Sequence, residues 1–311
     1  MLAMFSSTRK KPLDDLLHRP RPSPWTIFWQ SPVLYLAHML YTRRQASNQV
    51  QSENTISVVC VSDTHNSQPQ LPYADILIHA GDLTQSGSFP EVQNALDWIK
   101  GQPHPHKVVV AGNHDLLLDP ACDDRRGGRQ AAMERQKLSW GDVIYLQDSA
   151  TEVVCGNGRK LRIYGSPMSC RHGNWAFQYP RSQGHEYWPG RVPDDTNILV
   201  THGPPRAHLD LLNLGCPGLL TEVWRVRPTL HVFGHVHEGY GTEHLVFDDL
   251  QEGFERVVVA RGGVWNLTRV VWAAVRAWLA GPLKTETTLV NPAMVGGLRD
   301  DQRRTAIKAA I

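Results

Sequence analysis

The stretch that decides the fold is a short apolar run ending in a polar motif, and it reads Ile56-Ser57-Val58-Val59-Cys60-Val61-Ser62-Asp63-Thr64-His65. Similar apolar runs cover residues 74–79 and 107–111, and each is followed by glycine with Asp or Asn. Between those two runs, residues 89–100 carry apolar side chains at helical spacing, which predicts a crossover helix. The same theme recurs at residues 161–164, 197–200 and 229–233. The pattern predicts an α/β fold with functional residues at the carboxyl ends of strands.

Five polar blocks follow these predicted strands. In chain order they are Asp63-Thr64-His65, Gly81-Asp82, Gly112-Asn113-His114-Asp115, Thr201-His202-Gly203 and Gly234-His235-Val236-His237. Carboxylate and amide oxygens mixed with imidazole nitrogens suit Mn²⁺, Fe, Zn²⁺ or Mg²⁺ rather than thiophilic metals. The candidate metal ligands are Asp63, His65, Asp82, Asn113, His202, His235 and His237. The blocks therefore predict a two-metal hydrolytic site, in which the Asp82 carboxylate can bridge the two ions.

The two residues after Asn113 are candidate catalytic residues. His114 is not needed as a ligand and can protonate a leaving group as a general acid, while Asp115 can hold its imidazole and raise its pKa. A hydroxide held by two divalent ions is a strong nucleophile at neutral pH, so no serine or cysteine nucleophile is required. A lone histidine is more often structural than functional, and the inference depends on all five blocks occurring together.

Composition narrows the class of protein. The 311 residues are 41% hydrophobic and 20% charged, with a net charge of +2, which is typical of a globular domain. No basic run with interleaved aromatic residues is present in the sequence, so we expect no nucleic-acid partner. The five cysteines are widely spaced and form no C-x-x-C pair, and we expect free thiols in a cytoplasmic protein.

We expect three regions along the chain. Residues 1–54 form a basic, proline-rich lead-in, residues 55–297 a single domain, and residues 298–311 a tail that is helical or frayed. Within the lead-in, the apolar segment 25–41 is shorter than the roughly 20 residues of a spanning helix. We expect an interfacial or protein-docked helix there, and peripheral contact with a membrane is left open. The oligomeric state is also left open.

The blocks together resemble the calcineurin-like metallophosphoesterase family, whose pattern D-x-H, G-D, G-N-H-[D/E], [T/G]-H and G-H-x-H is complete between Val58 and Glu238. The resemblance implies a four-layer α/β/β/α sandwich of two mixed β-sheets flanked by helices. It implies one metal held by Asp63, His65, Asp82 and His237, and a second held by Asp82, Asn113, His202 and His235. His114 takes the place of the family's catalytic acid. Two divalent ions are the implied cofactors, with Mn²⁺ favoured.

Finer details resemble the metallophosphoesterase-domain-containing (brain 239-type) branch of that family. The segments that carry this resemblance are residues 78–84, 164–167, 175–177, 201–205 and 233–241. In this branch the turn at Ser166 and the segment at Trp175 border the substrate pocket, although Trp175 and Phe177 are equally well interpreted as core residues. The candidate substrate contacts are Ser166, Arg171, His172 and Trp175, with Asn291 as a further pocket residue.

The leading hypothesis is a dinuclear-metal phosphoesterase that cleaves phosphodiester or phosphomonoester bonds through a metal-bound hydroxide, with His114 as general acid. The expected partner is a small-molecule or nucleotide phosphate ester. Two alternatives stay open, a protein serine/threonine phosphatase and a non-catalytic scaffold with the same fold. The motifs describe the reaction centre and do not identify the physiological substrate.

Overall fold

Two β-sheets packed face to face form the centre of the protein, whose computed structural model describes residues 23–43, 55–211, 213–260, 262–280, 286–297 and 301–311. The helices are α1 (Pro24–Gln30), α2 (Pro32–Thr42), α3 (Phe89–Lys100), α4 (Arg129–Gln136), α5 (Gly184–Tyr187), α6 (Pro217–Val226), α7 (Asp249–Val259) and α8 (Val264–Ala280). The strands are β1 (Ser57–Val61), β2 (Ile76–Ala80), β3 (His106–Val110), β4 (Val143–Tyr145), β5 (Ser149–Val154), β6 (Lys160–Ser166), β7 (Ser169–Cys170), β8 (Gln178–Tyr179), β9 (Ile198–Thr201), β10 (Leu230–Val232), β11 (Gly241–Val246), β12 (Glu286–Asn291), β13 (Val295–Gly296), β14 (Gln302–Arg303) and β15 (Ile307–Ala310).

Both large sheets are mixed. The first has the order β15-β1-β2-β3-β4 and is parallel except for β15, which runs antiparallel to β1. The second has the order β11-β12-β10-β9-β6-β5, with four parallel inner strands and an antiparallel strand at each edge. The predicted class of two mixed sheets flanked by helices is confirmed, and the crossover helix α3 covers the predicted residues.

Alternating side chains explain how the sheets form layers. Val58 and Cys60 of β1 join the core between the sheets, whereas Val59 and Val61 face the helical side with α3. This is expected because successive side chains of a strand point to opposite faces. On the far side, α6 covers the outer face of the second sheet. The five cysteines are free thiols and are buried.

The apolar segment 25–41 forms two short helices separated at Ser31, and the second of them is docked on the protein. Tyr41 of α2 stacks on Phe254 of α7 with ring centroids 4.2 Å apart, and its hydroxyl donates to Glu243 at 2.8 Å. Together α2, α7 and α8 share a small core of their own. Among the described residues, no helix has the length and apolar character needed to cross a membrane.

The tail departs from the expectation. Residues 301–311 contain two strands, and β15 pairs with β1 along Ser57–Cys60, so a helical or frayed tail was the wrong expectation. Ile307, Ala309 and Ile311 pack against the core between the sheets, while Lys308 and Ala310 are exposed. The alternation of alanine and charge therefore reflects the two-residue period of an edge strand. In so short a segment, this pattern is hard to tell from that of a frayed helix.

Candidate metal centre

Loops at the carboxyl ends of strands carry every candidate metal ligand. From the first sheet, Asp63 and His65 follow β1, Asp82 follows β2 and Asn113 follows β3. From the second sheet, His202 follows β9, and His235 and His237 follow β10. Because these strands end on the same side of the packed sheets, their loops meet across the gap between the two sheets.

The first group of donors is Asp63, His65, Asp82 and His237, and one ligand atom from each lies within 4.8 Å of the others. His237 Nε2 is 3.4 Å from Asp63 Oδ1, and His65 Nε2 is 3.9 Å from Asp82 Oδ2. These four residues could hold a metal ion. They are the same four that the resemblance implies for one metal.

The second group lies on the other side of Asp82. Asn113 Oδ1 is 2.9 Å from His202 Nε2 and 2.6 Å from His235 Nδ1. His202 Nε2 also lies 3.5 Å from Asp82 Oδ2, so the Asp82 carboxylate borders both groups. The Nδ1–H of His202 donates to the Ala80 carbonyl at 3.0 Å, which leaves Nε2 as the nitrogen that faces the other donors.

The backbone of the ligand loops is strained. Asp63, His65, Asp82 and His235 have φ values of 50°, 42°, 53° and 68°, in the left-handed region that side-chain-bearing residues rarely adopt. Strain of this kind clusters at functional sites, because only a site that needs the geometry retains it. A Cβ added at Gly112 would overlap the Asp82 carboxylate, which explains glycine at the start of that block.

Electrostatic effects prepare the carboxylates as ligands. Burial disfavours ionisation of Asp63, but the hydrogen bond and charge of His237 outweigh it and lower the pKa to about 2. For Asp82, burial is likewise outweighed by the charge of His202, and the pKa falls well below its usual range. Burial lowers the pKa of His235 to about 3, so its imidazole is neutral. Anionic carboxylates and a neutral imidazole are the forms that bind metal.

His202 behaves in the opposite way. Burial opposes its protonation, yet the charge and hydrogen bond of Asp82 raise its pKa to about 9. A divalent ion beside Asp82 would compete with that proton, because a ligand imidazole must be deprotonated at the ligating nitrogen. The donor set therefore fits divalent ions.

His114 lies next to the two groups, but Asp115 does not pair with it. The His114 Nδ1–H donates to the Gln85 carbonyl at 2.8 Å. Asp115 is buried and accepts hydrogen bonds from the Gly112, Leu83 and Thr84 backbone N–H groups and from the Thr84 hydroxyl. The prediction that Asp115 holds the His114 imidazole was wrong, because these bonds occupy its carboxylate in shaping the loop.

Two of the candidate pocket residues have other roles. Ser166 is fully buried, and its hydroxyl donates to Asp148 at 2.7 Å. Asn291 is also buried, and its amide donates to the Val236 carbonyl at 2.9 Å, which holds the loop between His235 and His237. Neither residue lies open to a substrate, so these two predictions were wrong.

The other candidates lie beside the donor groups. Trp175 is 37% exposed and stacks on the His114 ring, with the ring centroids 4.3 Å apart. Phe177, by contrast, is buried in the core. Of the two interpretations left open, Trp175 therefore fits a pocket residue and Phe177 fits a core residue. His172 is exposed, and its ring meets the His235 ring edge-on with the ring centroids 4.6 Å apart. Arg171 is exposed on the same segment, and its backbone N–H pairs with the Tyr179 carbonyl.

Two supporting contacts were not foreseen from the sequence. The Ser62 hydroxyl donates to Asp63 Oδ2 at 2.6 Å and helps to orient that carboxylate. The Gln85 carbonyl fixes the His114 ring through the bond given above. The serine directly before the D-x-H block was a usable signal, whereas a backbone carbonyl leaves no signal in the sequence.

Comparisons with known proteins identify several relatives of the chain. The chain is 42% identical over 303 residues to probable rhamnogalacturonate lyase C of Emericella nidulans, covering 95% of this chain and 28% of that protein. It is 41% identical over 207 residues to metallophosphoesterase domain-containing protein 1 of Homo sapiens, covering 59% of this chain and 61% of that protein. A UPF0046 protein of Caenorhabditis elegans is 38% identical over 196 residues, covering 60% of this chain and 65% of that protein.

The chain spans less than two thirds of the length of each of these relatives. The sequence model described as calcineurin-like phosphoesterase matches residues 50–239, more than half of the chain and a range that includes all seven candidate ligands. The chain therefore belongs to the calcineurin-like phosphoesterase family.

Proposed function

We propose that the chain is a dinuclear-metal phosphoesterase that hydrolyses phosphodiester or phosphomonoester bonds of a small molecule or nucleotide. The observation that carries this proposal is the position of Asp82 between two donor groups, one with Asp63, His65 and His237 and one with Asn113 and His202. Two ions bound there would activate water and polarise the phosphoryl oxygens. Mn²⁺ is the favoured ion among those that suit mixed oxygen and imidazole donors.

His114 is proposed as the general acid. Its Nδ1–H is held by the Gln85 carbonyl, so a second proton on Nε2 is the one it can give to a leaving-group oxygen. Trp175 stacks on the His114 ring, with ring centroids 4.3 Å apart, and limits its rotation. Trp175, Arg171 and His172 are the proposed substrate contacts.

The experiment measures Mn²⁺-dependent hydrolysis of two diesters, bis-p-nitrophenyl phosphate and diphenyl phosphate. We compare wild type, Asp82→Asn, His114→Asn and, as a control, His185→Asn, which changes an exposed histidine on α5. We expect Asp82→Asn to abolish hydrolysis of both diesters. His114→Asn is expected to lower kcat for diphenyl phosphate by about 100-fold or more, and by less for the nitrophenyl ester, because nitrophenolate leaves without a proton.

Assays of p-nitrophenyl phosphate and a phosphopeptide, together with a titration of Mn²⁺ binding, distinguish the alternatives. Equal activity of wild type and Asp82→Asn would overturn the proposed site. A preference for p-nitrophenyl phosphate or phosphopeptides would favour a phosphatase over a diesterase. Retained Mn²⁺ binding without hydrolysis of any ester would support a non-catalytic scaffold instead.

A lyase activity is not part of the proposal. The lyase name belongs to a protein of which this chain matches 28%, and the residues matched by the family pattern are those of a phosphoesterase. The proposed roles of the polar side chains, namely metal ligation, loop support, proton donation and substrate contact, all suit ester hydrolysis.

A further inference from the structure

An apolar surface is exposed on the helices outside the second sheet. The side chains of this surface, which we call the tryptophan face, are Trp25, Trp29, Val264, Trp265, Val271, Trp272 and Val275. Trp265 is 84% exposed, Trp29 76% and Trp25 71%. Scattered exposed apolar residues are ordinary, but a contiguous patch rich in tryptophan indicates an interaction surface.

Helix α8 carries large apolar side chains on its exposed side as well as on its buried side. Val270 and Ala273 are buried against α2 and α7, as a docked helix requires. The opposite side carries Trp265 and Trp272, which lie seven residues apart and so share one stripe of the helix. A surface helix normally turns mainly charged and polar residues outward, whereas α8 exposes tryptophan and valine side chains beside its two arginines.

Helices α1 and α8 both contact α2, which lies next to each of them. A Cβ added at Gly262 would lie 3.9 Å from the Val33 Cβ, so the start of α2 touches the segment that leads into α8. Val33 is four residues after Trp29, and Gly262 is three residues before Trp265. The exposed indoles of α1 and α8 therefore lie on two helices that share α2 as a neighbour.

The helices that carry the tryptophan face contain no acidic residue, and the charged side chains of α8 are both arginines. Helix α2 also lacks acidic residues, and Arg269 and Arg276 lie on the exposed side of α8. Arg276 pairs with Asp249 of α7 at 2.7 Å. Residues 1–54 hold seven lysines and arginines against three acids, a net charge of +4, while the whole chain has +2. The positive charge of the chain is thus concentrated in the region that includes α1 and α2.

We propose that the tryptophan face binds an anionic lipid bilayer, with α1 and α8 lying in the plane of the interface. Tryptophan side chains concentrate at the boundary between headgroups and acyl chains, where an indole is both apolar and polar. Arginines beside them add attraction to anionic lipids. An interfacial position agrees with helices of this length, none of which among the described residues is able to span a bilayer.

The test is sedimentation of the full chain with phosphatidylcholine vesicles, with and without phosphatidylserine. We expect binding that is tighter with phosphatidylserine and weaker at high salt. The double variant Trp265→Gln/Trp272→Gln is expected to bind at least about tenfold more weakly, since affinity follows the apolar area inserted. Arg269→Gln is expected to lose about fivefold, and only on vesicles with phosphatidylserine. The control is Met133→Gln, which removes an exposed apolar side chain from α4.

Three results would overturn the proposal. The first is wild type that stays in the supernatant with both vesicle types. The second is equal binding by wild type and the double tryptophan variant, with both folded by circular dichroism. The third is a wild-type protein that is a dimer in light scattering and does not bind vesicles, and whose double variant is a monomer. The tryptophan face would then contact a second copy of the chain.

Discussion

Gly112 determines how closely the Asn113 loop approaches the Asp82 carboxylate. A Cβ at this position would overlap both that carboxylate and the His202 ring. Because Asp82 borders both donor groups, a shift of its carboxylate affects both at once. The glycine is therefore a requirement of the site rather than of the loop alone.

We expect Gly112→Ala to weaken Mn²⁺ binding by about 10- to 100-fold, because supporting residues of metal sites have effects of this size when changed. Isothermal titration of Mn²⁺ measures it. The control is Gly156→Ala, where an added Cβ meets nothing within 4 Å. Wild-type Mn²⁺ affinity in Gly112→Ala would show that the loop moves away without disturbing Asp82.

Single residues also show where sequence reasoning fails. His114 and Asp115 are neighbours in the chain, but the turn directs Asp115 into the core, where it binds the backbone, and His114 towards Gln85 and Trp175. Adjacency in sequence does not predict adjacency of side chains in a tight loop. The apolar runs, by contrast, predicted that the seven candidate ligands follow strand ends, and the structure places them there because this position is a property of the fold.

At the scale of elements, a buried histidine connects strand β11 with helix α7. His208, in the loop after β9, is fully buried and contacts Glu243 of β11 at 2.9 Å and Glu255 of α7 at 3.0 Å. Trp224 of α6 donates to Glu255, and Tyr41 of α2 to Glu243. Burial opposes protonation of His208, but the two glutamates raise its pKa to about 10.

The pKa of His208 predicts a pH-dependent stability. The folded pKa lies above the usual 6.5, so the stabilisation is complete below about pH 6.5 and is lost as the pH rises through about 10. His208→Gln is expected to lower the free energy of unfolding by about 3 kcal/mol near pH 6.5, because it leaves buried carboxylates without their partner. The pKa of Glu243 is lowered by the charge of His208 in spite of burial, so its own contribution is lost in acid.

Urea unfolding near pH 6.5 and near pH 9.5 measures this effect, with the exposed His185→Gln as control. The difference between wild type and His208→Gln is expected to narrow at the higher pH. A difference that stays constant between the two pH values would show that His208 does not change protonation in this range.

The edge strand β15 leads to a separate prediction. Its backbone pairs with β1, the strand that ends at Asp63, and Ile311 exchanges two backbone hydrogen bonds with Ile56. Deleting residues 306–311 is expected to lower the free energy of unfolding by about 3 kcal/mol, because apolar contacts with the core are lost and the β1 edge is opened. Thermal unfolding checks it, with Ala310→Ser at an exposed position as control. An unchanged midpoint would mean that β1 is stable without its neighbour.

At the scale of the whole molecule, the donor groups connect the two sheets. Four candidate ligands follow strands of the first sheet and three follow strands of the second. The sequence predicted that each motif follows an apolar strand, but not which sheet each of these strands joins. The arrangement of α2, α7 and α8 was not predictable in the same way, since it depends on long-range contacts such as the Tyr41 and Phe254 stack.

This division between the sheets predicts that metal binding stabilises the molecule as one unit. An ion that binds only the folded chain adds about 2.7 kcal/mol at a free concentration 100-fold above its dissociation constant. We expect Mn²⁺ to raise the Tm of wild type in a single calorimetric transition, and EDTA to reverse the shift. Asp63→Asn from the first sheet and His235→Asn from the second are each expected to reduce it, whereas His185→Asn keeps it. A shift retained in both ligand variants would place the stabilising ion elsewhere, and two separate transitions would show that the sheets are not held together by the site.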